Sequence, residues 1–153
     1  MGRICAVENI TLDGVMQSPG RPDEDRRGGF EYGGWATSYR DAAMSQAMGE
    51  GMSARPALLF GRRTYEDFFS VWPGRTDNPF TEVFNRSQKY VCSKTLKEPL
   101  PWQNSTLLSG EAAETVPRLK KEPGPDLVVL GCGDLMQTLM RHRLVDSYVL
   151  LIH

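Results

Sequence analysis

The chain has 153 residues, of which 40% are hydrophobic and 24% are charged, as in ordinary soluble globular proteins with room for one core. Its formal net charge of −1 gives no electrostatic reason to expect nucleic acid or an anionic membrane as a partner. No apolar run approaches the roughly 18 residues that a membrane-spanning helix needs, and the N-terminus lacks the pattern of a signal peptide. We therefore expect one cytoplasmic domain over residues 1–153, without nucleic-acid or membrane partners.

Three cysteines lack the spacing of metal ligands or of a disulfide framework: Cys5, Cys92 and Cys132. We predict free thiols and no metal site. Cys132 lies between two glycines at the start of a predicted helix, where the pKa of a thiol can fall. A cysteine nucleophile would need a histidine partner, however, and neither His142 nor His153 is well placed in the sequence for that role.

The predicted elements alternate between strands and helices. An apolar, β-branched run at 3–12 ends at Asp-Gly and predicts the first strand, and the polar segment at 17–29 predicts a mobile surface loop with a function. Later strands are predicted over 56–61, 89–93, 105–110, 127–131 and 146–153, and helices over 37–48, 64–72, 111–126 and 134–144. This alternation predicts an α/β fold with a mixed, mostly parallel central sheet flanked by helices.

Two segments pass from an apolar strand through glycine into a helix. In the first, LLFGRRTYE at 58–66, Gly61 ends the strand and Thr64 is the expected N-cap. Arg62 and Arg63 would then lie beside the unpaired N–H groups of the helix start, where two guanidiniums suit a phosphate. A solvated surface pair is the alternative interpretation of these arginines.

The second such segment, VVLGCGDLM at 128–136, turns at Gly131-Cys132-Gly133. Glycines there let a ligand approach the backbone, and the helix start favours an anion such as pyrophosphate. Position 136 is methionine, whereas the usual dinucleotide fingerprint has its third glycine there. Taken alone, the turn is equally consistent with a tight strand-to-helix connection.

Together, these motifs resemble the dihydrofolate reductase-like family. The branch resembled is that of the C-terminal reductase domain of the bifunctional riboflavin-biosynthesis deaminase/reductase. The matching stretches follow the family's order and cover nearly the whole chain: TLDGVMQ at 11–17, FGRRTYE at 60–66, YVCSKT at 90–95, VVLGCGDLMQTLM at 128–140 and LVDSYVLLIH at 144–153. The resemblance implies a three-layer fold and an NADPH-dependent reductase of a pterin-like or ribosylaminopyrimidine-like heterocycle, its small-molecule partner.

The resemblance also implies which residues bind NADPH. The 2′-phosphate and part of the pyrophosphate are assigned to Gly61, Arg62, Arg63 and Thr64. The adenosine end is assigned to Ser93 and Lys94, and the remaining pyrophosphate and the nicotinamide ribose to Gly131, Cys132, Gly133, Asp134 and Leu135. The loop after Asp13-Gly14 is expected to close over the cofactor. The two arginines should favour NADPH over NADH.

The catalytic carboxylate stays open at this point. Folate-reducing relatives hold the pterin with a carboxylate of the first long helix, where this chain has Asp41 and, later, Glu50. Asp41 is the preferred candidate, with Glu8 on the first strand as its competitor. A solvated charge is the alternative for either residue.

The resemblance places the substrate ring and the nicotinamide beside the first strand, at Val7 and Asn9, with Trp35 as a further substrate contact. Family members usually continue past the position matching His153, so that the C-terminal strands are expected to be missing or short. An exposed edge strand would then invite a homodimer. The rival functional interpretation is a non-catalytic dinucleotide-binding module with a reductase fold, which turnover of a heterocycle would exclude.

Overall fold

The computed structural model describes residues 2–39, 42–53 and 55–153. Its strands are β1 (Ile4–Ile10), β2 (Ala57–Gly61), β3 (Lys89–Ser93), β4 (Ser105–Ser109), β5 (Leu127–Leu130) and β6 (Ser147–Ile152). Its α-helices are α1 (Ala42–Ser53), α2 (Arg62–Val71), α3 (Phe80–Arg86), α4 (Ala112–Lys121) and α5 (Gly133–Arg141). Two short 3₁₀ helices, Arg27–Gly29 and Trp35–Tyr39, lie between β1 and α1.

The six strands form one sheet in the order β4-β3-β2-β5-β1-β6. The α/β class and the largely parallel sheet are confirmed. Between the described residues, every pairing of neighbouring strands is parallel, so the antiparallel part of the expected mixed sheet is not among them. Parallel strands need crossover connections. Helices lie in most of these connections: α1 between β1 and β2, α2 and α3 between β2 and β3, α4 between β4 and β5, and α5 between β5 and β6.

The centre of the sheet is apolar on both faces. All residues at 57–60 of β2 and all of β5 are buried, which explains why both strands are continuous apolar runs in the sequence. Leu59 and Val129 are fully buried, and burying such a side chain contributes about 1.5–3 kcal/mol to folding. This core fixes the positions of the two glycine turns that follow β2 and β5.

Helix α3 is not among the predicted elements, because it has only seven residues and gives a weak periodic signal. Its C-terminal end is capped from β3: Lys89 Nζ donates to the carbonyl oxygens of Phe84 and Ser87, each at 2.7 Å. The same ammonium lies 4.6 Å from the ring centroid of Trp102. The contact between Lys89 and Trp102 joins two separate segments of the chain and cannot be read from local sequence.

The two edges of the sheet differ. On the outer side of β4, the N–H of Leu107 donates to a carboxylate oxygen of Glu98 at 3.0 Å. The other edge, β6, exposes a row of apolar side chains: Tyr148, Val149, Leu150 and Ile152. The homodimer expected from the sequence would form through this edge strand, and that contact stays a prediction. Across the described part of the chain, every helix is too short or too polar to cross a membrane.

Candidate functional site

The carboxyl ends of the strands open onto one cleft. Because the paired strands all run in the same direction, their C-terminal ends lie at one edge of the sheet, where ligands of open α/β sheets bind. The cleft has a volume of about 1310 Å³, larger than the ~300–1,000 Å³ of common small-molecule pockets. It extends past the ends of β1, β5, β2, β3 and β4 and is bordered by the loop at 16–27. An elongated ligand suits this shape.

Three helices begin at this cleft without a side-chain cap. The N-cap residues of α2, α4 and α5 are Gly61, Glu111 and Cys132, and no described side chain forms the capping hydrogen bond at any of them. The first N–H groups of a helix have no partner within the helix and carry its positive end. The cleft therefore has three helix starts at which an anionic ligand can be bound.

Thr64 is not the N-cap that the sequence predicts. Helix α2 already begins at Arg62, and Thr64 lies within its first turn. Its Oγ1 instead donates to the carbonyl oxygen of Gly131 at 3.2 Å. The N–H of Gly61 lies 3.5 Å from Sγ of Cys132. The two glycine turns, distant in sequence, are thus joined side by side, and the hydroxyl belongs to their junction.

The Gly131-Cys132-Gly133 turn uses its glycines in two ways. Gly131 has φ +58°, in the left-handed region that glycine adopts without strain. At Gly133, a Cβ would meet no other atom within 4 Å, so the space beside the start of α5 is open. Leu135, one turn further, is buried and packs near Gly61. Leu135 therefore packs the start of α5 against the end of β2.

Two of the predicted cofactor-binding cations are paired with acids. Arg62 Nη1 lies 3.7 Å from Glu66 Oε1, one turn along α2. Lys94 Nζ lies 2.7 Å from Glu111 Oε1 at the start of α4. All four side chains line the cleft and are exposed to a large extent. Exposed ion pairs contribute little stability, so a bound phosphate can replace the acids at little cost.

Arg63 points in a different direction. Its Nη1 lies 3.2 Å from Asp134 Oδ2 in the first turn of α5, and Arg27 Nη1 lies 3.1 Å from the same oxygen. Arg27 is not among the cofactor-binding residues predicted from the sequence. Its signal was the charged run RPDEDRR at 21–27, within the loop predicted to have a function.

Ser93 closes the turn after β3. Its Oγ accepts hydrogen bonds from the N–H groups of Thr95 and Leu96 at 3.1 and 3.0 Å. Its side chain is buried but lines the cleft. Ser93 therefore shapes the rim beside Lys94, and its role toward a ligand stays a prediction.

Glu8 is the buried carboxyl of the cleft. The residue is 3% exposed, follows Ile4 and Ala6 on the inward face of β1, and lines the cleft beside the Gly131-Cys132-Gly133 turn. The backbone N–H of Cys132 donates to it, while its Oε1 has no partner among the described residues. Burial raises the pKa of Glu8 to about 7, and the bond from Cys132 offsets part of this rise. This group can exchange a proton near neutral pH.

The cysteines are free thiols, as predicted. Cys132 does not have the lowered pKa that a helix start can produce. Burial raises its pKa to about 11, and its Sγ donates to the carbonyl oxygen of Leu130 at 3.3 Å. The described residues contain no group of His, Cys, Asp and Glu arranged to hold a metal ion. Cys132 is therefore a structural thiol.

The other substrate candidates lie apart from Glu8. Val7 and Asn9 alternate with Glu8 along β1 and so face the opposite side of the sheet. Asn9 Oδ1 lies 3.0 Å from His153 Nε2, and the ring of His153 meets that of Trp35 edge-on, with 5.5 Å between centroids. None of these side chains lines the cleft as the structure describes it.

Trp35 is linked to the rim of the cleft, because its Nε1 donates to the carbonyl oxygen of Gln17 at 2.9 Å. Asp41, the preferred catalytic candidate, lies outside the described residues. Its role stays a prediction, whereas Glu8 is placed in the cleft.

Comparison with protein families matches residues 4–153 to the RibD C-terminal domain. The chain belongs to this family. The resemblance inferred from the motifs is thereby confirmed. RibD C-terminal domains are reductase-like, which supports a reductase-like role for the chain in general.

The chain is also similar to individual proteins. The chain is 30% identical over 101 residues to the uncharacterized protein YyaP of Bacillus subtilis (strain 168), covering 63% of this chain and 52% of YyaP. It thus spans about half the length of that relative. A solved structure from Shewanella sp. PV-4, provisionally described as a riboflavin biosynthesis protein, superposes with a TM-score of 0.60 at 18% identity. The match covers 97% of this chain and 75% of the Shewanella chain, and it shows the fold.

Proposed function

We propose that the chain is an NADPH-dependent reductase of a heterocyclic substrate, pterin-like or ribosylaminopyrimidine-like. The observation that carries this proposal is the cleft: three uncapped helix starts and a row of exchangeable cations along one side, with a buried carboxyl at the β1 end. A dinucleotide has anionic groups along its length and an uncharged reacting ring at one end. The charges of the cleft match that order.

The phosphate-binding half would extend over β5, β2 and β3. The starts of α2 and α5, joined through Thr64 and Gly131, suit the pyrophosphate. Arg63 points toward α5, so it belongs to this part of the cleft. Arg62 and Lys94 make their ion pairs away from α5 and are the cations that we assign to the 2′-phosphate.

The reacting ring would lie at the β1 end, near Glu8. When bound, the nicotinamide supplies the hydride. Reduction of a C=N bond also needs a proton, and Glu8 is a carboxyl whose pKa of about 7 suits a general acid near neutral pH. Its unpartnered Oε1 is the atom from which we expect the proton to be transferred.

Glu8 is also what favours an enzyme over the rival binding module. A cleft that only held a dinucleotide would gain nothing from a buried carboxyl, since removing a charge from water is costly. We keep Trp35 as a candidate contact for the heterocycle, because its indole N–H donates to Gln17 at the rim. Asn9 is kept with it, because Asn9 contacts His153, whose ring meets that of Trp35. The choice between a pterin and a ribosylaminopyrimidine is left to experiment.

Turnover tests this proposal directly. The purified chain would be incubated with NADPH and a panel of pterins and ribosylaminopyrimidines, while the loss of NADPH absorbance is followed. Glu8→Gln is the informative variant, with Glu114→Gln, an exposed carboxyl on α4 outside the cleft, as the matched control. Substrate-dependent oxidation that Glu114→Gln keeps and Glu8→Gln loses supports the reductase. NADPH binding without oxidation by any of these substrates favours the binding module.

A further inference from the structure

The loop at 17–29 is folded upon itself. Gln17 Nε2 donates to the carbonyl oxygens of Asp25 and Arg27 at 3.1 and 2.9 Å, and the N–H of Asp25 donates to Ser18 Oγ at 3.1 Å. The predicted surface loop thus has a hydrogen-bond network of its own. It holds Arg27 at the edge of the cleft, opposite the start of α5.

Asp25 fixes the direction of the Arg27 guanidinium. Nε lies 2.9 and 3.0 Å from the two carboxylate oxygens of Asp25, and Nη2 lies 2.5 Å from Oδ2. This contact holds the pKa of Asp25 at about 2, so the pair stays ionised. The remaining nitrogen, Nη1, reaches Asp134 Oδ2. Arg27 therefore presents one N–H edge to the cleft in a fixed orientation.

Two guanidiniums from different elements converge on one carboxylate oxygen. Arg27 from the loop and Arg63 from α2 both contact Oδ2 of Asp134. The Asp134 side chain is 76% exposed, so it can turn away into solvent at little cost. One carboxylate oxygen satisfies two guanidiniums poorly. A phosphate has several acceptor oxygens and can bind both arginines and the free N–H groups of α5 together.

A second feature of the same cleft points to a polar ligand. Glu8 is buried with an unpartnered Oε1, and the N–H group that contacts its carboxylate belongs to Cys132, the N-cap of α5. The residues at the start of α5 thus connect the arginine pair with a polar atom that lacks a partner. A ligand extending past this helix start would meet both.

We propose that Arg27 is a ligand-binding residue: with Arg63 it forms a two-arginine subsite for pyrophosphate at the start of α5, which the Asp134 carboxylate occupies until the ligand replaces it. The identity of the ligand as a dinucleotide rests on the proposed function. The subsite itself requires only a pyrophosphate group. Binding would exchange the carboxylate for phosphate oxygens and hold the loop against the ligand.

Inorganic pyrophosphate tests the subsite independently of the reductase proposal. Its affinity would be measured by calorimetry for the wild-type chain, Arg27→Gln, Arg27→Lys, Asp134→Asn and, as a charge-matched control on α3 outside the cleft, Arg86→Gln. We expect Arg27→Gln to lose at least about tenfold in affinity, as for one charge-assisted hydrogen bond. The affinity of Arg27→Lys for pyrophosphate should lie between those of the wild type and Arg27→Gln, and that of Arg86→Gln should equal the wild-type affinity. Thermal unfolding of each variant shows whether it is folded.

Asp134→Asn shows whether the Asp134 carboxylate competes with the ligand for the two arginines or is needed to hold them in place. Without the competing carboxylate, pyrophosphate should bind as tightly as to the wild type or more tightly. Weakening equal to that of Arg27→Gln would overturn the proposal, as would unchanged affinity in Arg27→Gln or no pyrophosphate binding by the wild type. Pyrophosphate binding without NADPH binding would leave the subsite in place and contradict the proposed cofactor.

Discussion

The two ends of the cleft differ in charge and in exposure to solvent. At the phosphate end, the cations Arg62, Arg63 and Lys94 are exposed, and each contacts an acid in solvent. At the β1 end, Glu8 is buried with one oxygen unpartnered. Exposed pairs are weak and exchange partners readily, whereas a buried charge is controlled by its surroundings. The phosphate end is thus suited to binding an anionic ligand, and the β1 end to holding and transferring a proton.

The largest effect should come from removing the acid. Glu8→Gln keeps the shape of the side chain but cannot supply a proton, so turnover should fall by roughly 10²–10⁴, the usual contribution of a general acid. The affinity for NADPH should change little. Steady-state kinetics and a binding titration on the same preparation separate the two effects. A loss of binding equal to the loss of turnover would mean that the two ends are not functionally distinct.

The pH dependence follows from the same group. A general acid must be protonated, so wild-type turnover should decline as pH rises through about 7, the pKa of Glu8. The thiol of Cys132, which interacts electrostatically with Glu8, stays neutral in this region because its pKa is about 11. A pH–rate profile that is flat between pH 6 and 8, on the order of one unit either side of this pKa, would remove Glu8 as the acid.

Glu8 should also lower the stability of the protein at high pH. Its pKa is about 7 in the folded state against an ordinary value of 4.5, so between these values the folded chain holds a proton that the unfolded chain releases. The free energy of unfolding should therefore fall as pH rises through this window. At pH 8, Glu8→Gln should be more stable than the wild type by up to about 3 kcal/mol, with no such gain at pH 4. Urea unfolding at both values measures this.

Smaller effects are expected at the phosphate end, where the two arginines should differ. Arg62→Gln should weaken NADPH by about 1.5–3 kcal/mol and leave NADH nearly unchanged, because only NADPH has the 2′-phosphate. Arg63→Gln should weaken both cofactors to a similar extent, since Arg63 points toward α5. Calorimetric titrations of each variant with both nucleotides test this. If Arg63→Gln affects only NADPH, the assignments of the two arginines must be exchanged.

The smallest change concerns the junction between the two turns. Thr64→Val removes the hydrogen bond to Gly131 with little change in shape, so it should cost about 0.5–1.5 kcal/mol of stability. Thr64→Ser, which keeps the hydroxyl, serves as the control. Chemical unfolding of the three proteins gives the comparison. A Thr64→Val protein as stable as the wild type would show that the turns are held together by packing alone.

The sequence predicted the parts of the fold that depend on local pattern. Strands β2 and β5 are continuous apolar runs, and both glycine turns were placed where they occur. The alternation of Ile4, Ala6 and Glu8 on β1 also contained a signal for the burial of Glu8, since every second residue of a strand shares a face. The family pattern, by contrast, favours a carboxylate on the first helix.

The remaining features depend on contacts between distant segments. Arg27 and Asp134 are 107 positions apart, and their meeting follows from how the loop folds over the start of α5. Thr64 has the chemistry of an N-cap, but Arg62 and Arg63 already form the first turn of α2 with it. The pKa of Cys132 rises, despite its place at a helix start, because the packed interior surrounds the thiol. None of these outcomes is encoded in residue type or spacing alone.

Parallel calorimetric titrations of the unmodified chain with NADPH and NADH show whether the cleft binds the proposed cofactor. We expect NADPH to bind at least about tenfold more tightly than NADH, through the additional contact of the 2′-phosphate with Arg62 and Lys94. Equal affinity for the two would contradict the cofactor assignment at that end of the cleft. Binding of neither would contradict the proposed function.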